Sequence, residues 1–407
     1  MSHTDLSKYR EDFPMLKKTM HGKPLVYLDT AATAQKPSIV IDTMADFMAE
    51  QYGTVHRAVY ELAVHSTAEY CKIREKVQRF INAKKSEEII YTHGTTDSIN
   101  LVANSFGKTF INQGDEVIIT EVEHHANIVP WQMICKDRGA ILKVIPVNDR
   151  GELLLDKYGE LLSPKTKIVA VGHVSNALGT IHPLKKIIEM AHDTGAKVLV
   201  DGAQGVPHTK IDVQELDCDF YAFSAHKIYG PTGIGILYGK EELLNAMPPY
   251  QGGGDMIEKV TLEETTYNAL PLKFEAGTPM IVEVMGLGAA IDYLTSVGIE
   301  NIEKYEQHLL EYATQKMSDI DFLRIIGTAP NKGAIISFVV EGVHPLDIGT
   351  MLDLRGIAMR TGHHCAQPAM KRFGVEATAR ASFGLYNTID EVDYFVDSLK
   401  SVIQRLR

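Results

Sequence analysis

Two residues of this chain sit where their neighbours favour chemistry. Asp201 follows the apolar run Val198-Leu199-Val200, and Lys227 follows Phe220-Tyr221-Ala222-Phe223 and then Ser224-Ala225-His226. Such runs read as buried strands, and ligands bind outside the carboxyl ends of parallel strands, so a carboxylate and an amine at two such ends can face one bound molecule. A Lys at a strand end, ahead of the Gly-rich Gly230-Pro231-Thr232-Gly233-Ile234-Gly235, suits Schiff-base chemistry. Pyridoxal 5′-phosphate is the partner such an amine most often serves, and its ring nitrogen needs an acidic neighbour, which Asp201 supplies. Each residue has an ordinary alternative, Asp201 as a turn cap and Lys227 as a solvated amine. Their joint occurrence, with Gln204 and His226 beside them, favours the chemical reading.

A third reactive type is Cys365, in Met359-Arg360-Thr361-Gly362-His363-His364-Cys365-Ala366-Gln367-Pro368. A free Cys is more often buried filler than nucleophile, but two His, a Gly and a Pro mark a loop and not a core. Only the thiolate attacks, and an unperturbed Cys is roughly a few per cent ionised at neutral pH, so His363 and His364 are the candidates to assist it. Arg380, in Thr378-Ala379-Arg380-Ala381-Ser382, reads on its own as a surface charge.

The elements that must position these groups follow from hydrophobic pattern. Glu88 to Thr92 reads as a strand, Gly94-Thr95-Thr96 as a turn and Asp97 to Ser105 as the start of a helix. That sequence of elements presents backbone N–H groups and a positive dipole end to an anion, although Thr96 and Asp97 would also simply cap a helix. Glu116 to Thr120 is the next strand and ends in Glu121-Val122-Glu123-His124-His125. Adjacent His on an extended chain point opposite ways, so one of them, not both, is expected to face a site. Ile168 to Asn176 reads as a further strand closed by Gly179-Thr180, and a buried Asn176 needs partners whatever its role. The Gly-x-Gly at Gly233 to Gly235 precedes a strand, which excludes a dinucleotide fingerprint. Strands are also expected at Leu25 to Asp29 and Ile335 to Val340. Helices are expected at 38–51, 62–81, 282–297 and 305–316, and residues 1–20 read as a short amphipathic lead-in. The segment Tyr52 to Tyr60, with His56-Arg57, reads as a solvated loop.

Composition bounds the rest. A chain of 407 residues, 45% hydrophobic and 23% charged, can bury a large core divided into about two domains. A net charge of -11 without basic blocks argues against nucleic-acid binding. Cys71, Cys135, Cys218 and Cys365 show neither metal-ligand spacing nor a disulfide framework, which suggests a reducing compartment. With no signal-like start and no apolar run near membrane-spanning length, a cytoplasmic protein without membrane attachment is expected.

Asp201-Gly202-Ala203-Gln204 followed by Ser224-Ala225-His226-Lys227 resembles the class V aminotransferase branch of fold-type I pyridoxal-phosphate enzymes. Gly362 to Pro368 resembles the reactive loop of SUF-type, group II cysteine desulfurases. The resemblance covers nearly the whole chain, apart from the first few residues and the 150–165 region. It implies an α/β fold with a large cofactor domain over 21–285, built on a mostly parallel sheet flanked by helices. A smaller α/β domain over 286–407 would carry the Cys loop, with residues 1–20 packed against it. Pyridoxal phosphate would be held by Thr95, Thr96, His124, Asn176, Asp201, Gln204, Ser224, His226 and Lys227. The resemblance further implies a homodimer in which Thr278, of Phe274-Glu275-Ala276-Gly277-Thr278, reaches the phosphate held by the other protomer and the His56 loop reaches the neighbour's site. His124 would stack on the cofactor ring and relay a proton, while Asn176, Arg360 and Arg380 hold the substrate. The implied reaction converts L-cysteine to L-alanine with persulfide on Cys365. Sulfur would pass to a small acceptor protein of the SufE or SufU kind for iron-sulfur cluster assembly. Selenocysteine lyase or another class V reaction is the alternative, and the Cys365 loop disfavours a transaminase. Asp255 stands where some relatives carry a small hydroxyl residue, and an extra carboxylate there would alter the field at the site's mouth.

Overall fold

The structure, a computed structural model, describes residues 5–407, and a seven-stranded sheet lies at its centre. The strands are β1 (Ile89–Thr92), β2 (Glu116–Thr120), β3 (Ile141–Ile145), β4 (Thr166–Gly172), β5 (Lys197–Asp201), β6 (Phe220–Ser224) and β7 (Gly235–Gly239), in the spatial order β1-β7-β6-β5-β4-β2-β3. The five strands from β6 to β3 run parallel, and β7 is antiparallel to both β6 and β1. Strands buried on both faces need apolar residues in unbroken runs, because successive side chains point to opposite sides. Accordingly Ile118, Val169, Val198 and Tyr221 fall in one core, while Val117, Ile168, Leu199 and Phe220 fall in a second. The mostly parallel sheet expected from the sequence is present.

Helices α1 (Glu61–Phe80) and α2 (Thr95–Phe110) pack on this sheet and α3 (Ile281–Val297) packs on α1, while α4 (Ile299–Ser318) packs on the molecule's second sheet and α5 (Ile389–Leu406) packs on α4. Thr388 and Glu391 start α5 with a capping box. No single helix among the described residues is long and apolar enough to cross a membrane; α3 and α4 reach that length only as a pair bent by 74°. The lead-in expected over residues 1–20 lies partly outside the described residues. Its remainder forms two 3-10 turns, Ser7–Asp12 and Pro14–Lys17, because Pro14 interrupts any longer helix.

A second sheet holds β8 (Leu323–Ile326), β9 (Ile335–Val340), β10 (Arg360–Gly362) and β11 (Thr378–Ser382), antiparallel throughout in the order β8-β9-β11-β10. Val26–Tyr27 pairs in parallel with Ile357–Ala358, and Asp29 bridges to Ser382. The loop from Thr30 to Pro37 therefore leaves the second sheet and crosses to the ends of β5 and β6.

The helix expected over 305–316 runs Ile299–Ser318 and the strand expected at Leu25 to Asp29 spans only Val26–Tyr27, and two further boundaries differ from expectation, each for a local reason. The strand expected to reach Asn176 stops at Gly172, where side chains take over its backbone groups: Gly172 N–H donates to Glu123 Oε1 at 2.9 Å, and Gly172 O accepts from His182 Nδ1 at 2.7 Å. The helix expected from Asp97 begins at Thr95, because Gly94 (φ 147°) breaks the chain direction and serves as N-cap. Asp97 instead accepts the His93 N–H at 3.0 Å.

Candidate active site

The carboxyl ends of β2, β4, β5 and β6, the start of α2 and the loop after β10 enclose one cavity of about 200 Å³. Of the residues singled out from the sequence, Thr95, Thr96, His124, Asn176, Asp201, Gln204, Ser224, His226, Lys227, Arg360, Cys365 and Arg380 all line it. Thr278 does not: it is exposed and borders a separate small hollow with Tyr91, His93 and Asp97. His56 is also apart, held in a left-handed conformation (φ 74°) with its ring edge-on to Tyr70.

Asp201 ends β5, buried, and its Oδ1 accepts the Ala203 N–H at 3.0 Å. Burial raises its pKa, opposed by that hydrogen bond and by the Lys227 ammonium. Lys227 ends a single 3-10 turn after β6. Burial lowers its pKa to about 8, with Asp201 opposing and Arg380 and Arg360 adding to the fall, so a free amine forms readily there. Tight packing fixes the turn after Asp201, since a Cβ on Gly202 would lie 2.0 Å from the Tyr221 ring.

At the start of α2, Thr95 N–H donates to Ser224 Oγ at 2.8 Å and the two hydroxyls meet at 2.7 Å. A helix N-terminus flanked by hydroxyls and facing a cavity suits an anion. His124 Nδ1 accepts the Ala126 N–H at 3.0 Å, which leaves Nε2 as the protonated nitrogen of the neutral ring. Burial first, then the cations Lys227, His125 and Arg380, lower its pKa to about 4. His125 turns away, stacking near His363 at 5.5 Å, so one His of the pair faces the site as expected.

Arg380 is buried; it donates from Nη1 to Asn176 O at 2.9 Å and from Nη2 to Asp29 Oδ1 at 3.2 Å, while its Nε has no partner. Arg360 reaches the other Asp29 oxygen at 3.2 Å. Asp29 thus fixes both guanidiniums, a role that sequence reasoning missed. Its only signal was a carboxylate ending the Leu25 to Asp29 run. Glu123 was also missed: Thr120, Gly172 and Asn127 all donate to it, and burial raises its pKa to about 7.

Cys365 is partly exposed, and both it (φ 54°) and His364 (φ 52°) adopt the left-handed region, which bends the loop into the cavity. His125 N–H pins the Cys365 carbonyl at 2.7 Å, and Asn176 Nδ2 holds the His364 carbonyl at 2.6 Å. Neither neighbouring His ring is engaged with the thiol. His363 Nδ1 accepts the Cys365 N–H at 3.1 Å, and His364 Nε2 pairs with Thr378 Oγ1 at 2.8 Å, its pKa lowered by burial to about 3. Asp255 is likewise engaged, paired with Arg57 at 2.8 Å, so its carboxylate is not an unpaired charge.

Four buried polar atoms at this cavity lack partners among the described residues: Gln204 Oε1, His182 Nε2, His364 Nδ1 and Arg380 Nε. Buried groups of this kind are normally satisfied, so they point to a polar occupant. Together with the helix end, the Asp201 carboxylate and the Lys227 amine, they fit pyridoxal phosphate, whose phosphate Thr95, Thr96, Ser224 and His226 would hold and whose ring nitrogen Asp201 would meet.

The chain is similar to known proteins over nearly its whole length. A "Probable cysteine desulfurase" of Mycolicibacterium paratuberculosis is 52% identical over 98% of the chain, although the chain spans only 58% of that relative's length. The cysteine desulfurase of Dickeya dadantii is 49% identical, with 99% of this chain and 98% of the relative covered. The crystal structure of the cysteine desulfurase CsdA from Escherichia coli superposes with a TM-score of 0.93 at 40% identity, each chain covered completely. Residues 26–395 match the family described as aminotransferase class-V, and the chain belongs to it.

Proposed function

We propose that this chain is a pyridoxal-phosphate-dependent cysteine desulfurase that takes L-cysteine to L-alanine and retains the sulfur on Cys365. The observation that carries this reading is that a buried carboxylate, an amine, a thiol and a carboxylate-binding Arg line one cavity from chain positions as distant as Asp201 and Arg380. Bound pyridoxal phosphate supplies the electron sink that makes the substrate α proton acidic. Asp201, ionised beside it, holds a proton on the ring nitrogen, and each pKa unit so gained corresponds to about 1.4 kcal/mol. The unpartnered Arg380 Nε and the Asn176 side chain bind the substrate carboxylate, with Asp29 fixing the guanidinium. Lys227, whose pKa burial lowers to about 8 so that its amine is far more easily freed of its proton than that of an ordinary Lys, takes the α proton. Cys365 Sγ then attacks the substrate sulfur as a thiolate, so that a sulfur–sulfur bond forms and the substrate carbon–sulfur bond breaks. The electron pair of that bond stays with the carbon, and His124, neutral and protonated at Nε2, is placed to move the proton that this carbon requires to give alanine.

The same reading includes a homodimer. Support comes from Thr278 standing outside the cavity of its own chain and from exposed apolar residues at Met48, Tyr52, Val59, Tyr60, Leu62 and Leu262. It also includes a cofactor domain over 21–285, a C-terminal domain over 286–407, a cytoplasmic location and transfer of the sulfur to a small acceptor protein. The decisive experiment adds L-cysteine to the purified, cofactor-loaded protein. Equal yields of alanine and enzyme-bound or released sulfur are expected, and pyruvate with no alanine would overturn the reading.

A further inference from the structure

Beside the assigned residues stands a partly buried cation without a counter-charge. Lys36 is half-buried, and its Nζ donates to Ala34 O at 2.6 Å and to His226 O at 2.9 Å. Among the described residues no carboxylate pairs with it, and burial alone lowers its pKa to about 8. Withdrawing an ammonium from water is costly unless its protons are used, and an apolar side chain of similar length would fill the space without that cost. Its two carbonyl partners offset that cost, and they indicate what the ammonium does.

One of them, His226 O, belongs to the peptide bond that leads into Lys227. It also accepts the Ala34 N–H at 3.0 Å and lies 3.3 Å from Thr33 Oγ1, so three donors from one loop converge on a carbonyl with two lone pairs. Elsewhere the same loop accepts from Gln204 Nε2 at Ala31 O and donates from Ala31 N–H to Ser382 Oγ at 2.9 Å, two residues from Arg380. Just beyond Lys227 the backbone is strained, with Tyr229 at φ 66°, a conformation that persists only where the surroundings over-determine it.

We propose that Lys36 is a positioning residue whose ammonium clamps the His226 peptide, so that the Lys227 backbone stays fixed while its amine is released and recaptured in each turnover. The inference rests on the reading of Lys227 as the cofactor-linked amine. It adds a second lysine with a distinct task.

The test uses Lys36→Met and Lys36→Arg in the full chain. In the cofactor-free protein, hydrogen exchange at the Ala34 amide should be about tenfold faster in Lys36→Met and near wild type in Lys36→Arg. In the loaded enzyme, kcat for alanine should fall about tenfold or more in Lys36→Met, since small misplacements of a reacting group are expensive, while KM for L-cysteine stays within about twofold because Arg380 and Asn176 are untouched. Lys36→Arg should recover most of kcat. Lys36→Gln, which keeps a donor but no charge, serves if the Met variant does not fold; a fall in kcat at constant KM supports the clamp and a wild-type kcat overturns it. Unchanged exchange and kcat in Lys36→Met, or equal losses in the Met and Arg variants, would overturn it too. Absence of cofactor binding or alanine formation in the wild type would instead sink the functional reading, while the exchange result on the cofactor-free protein still decides whether the clamp exists.

Discussion

Lys227 and Cys365 are assigned separate tasks, proton transfer and sulfur capture, and substitution separates them. Lys227→Ala is expected to abolish alanine formation, and wild-type turnover in that variant would refute the assignment. Cys365→Ala should keep the cofactor and still bind L-cysteine, because Lys227, Asp201 and Arg380 are untouched, yet desulfuration should collapse. Activity on selenocysteine should suffer less, since a selenol is more acidic than a thiol and departs with less help. Equal loss on both substrates would mean that Cys365 supports the whole site. These two residues were legible because strand-end and loop context distinguished them from ordinary Lys and Cys. Asp29 was not legible, since a carboxylate after an apolar run has many uses and its partners, Arg360 and Arg380, lie 331 and 351 residues further on. Adjacency also misled at His363 and His364, whose rings bond to the Cys365 amide and to Thr378.

At the scale of elements, the site depends on strand ends meeting a helix start at very close range. A Cβ on Gly235 of β7 would lie 2.4 Å from Gly94 Cα, at the N-cap of α2, where only backbone could yield. Gly235→Ala should therefore destabilise the protein by about 1–3 kcal/mol and weaken phosphate binding, as read by urea unfolding and cofactor dissociation. The end of β4 offers a pH test. His182 is buried and neutral, its Nδ1–H spent on Gly172 O, and burial lowers its pKa to about 4 from an ordinary 6.5. Between those values the unfolded chain binds the extra proton, so stability falls as pH drops from 6.5 toward 4, by at most about 1.4 kcal/mol per unit. His182→Asn should flatten that slope by up to one proton. Glu123, raised to about 7, acts in the opposite sense but is present in both proteins and cancels in the difference. Periodicity gave the strands and helices themselves. It missed where β4 stops and α2 starts, because the first is set by Glu123 and His182 taking up the backbone groups of Gly172 and the second by the backbone conformation of Gly94, neither of which a hydrophobic pattern encodes.

For the whole molecule, the readable part was the mostly parallel sheet, whose long apolar runs leave few other arrangements. The crossing of the early chain into the second sheet was not readable, since Val26–Tyr27 is too short a strand to announce its partner. If two copies complete each other's phosphate site, Thr278→Ala should speed cofactor loss without altering the fold, and a fully active monomer in sedimentation would rule the shared site out. The pairing of Val26–Tyr27 with Ile357–Ala358 also carries a consequence for biosynthesis. A chain emerging from the ribosome at roughly 5–20 residues per second exposes Asp29 long before Arg360 and Arg380 exist. On the proposed function, a chain that ends before residue 360 would lack Arg360, Cys365 and Arg380, and with them both the proposed substrate grip and the proposed sulfur-accepting thiol.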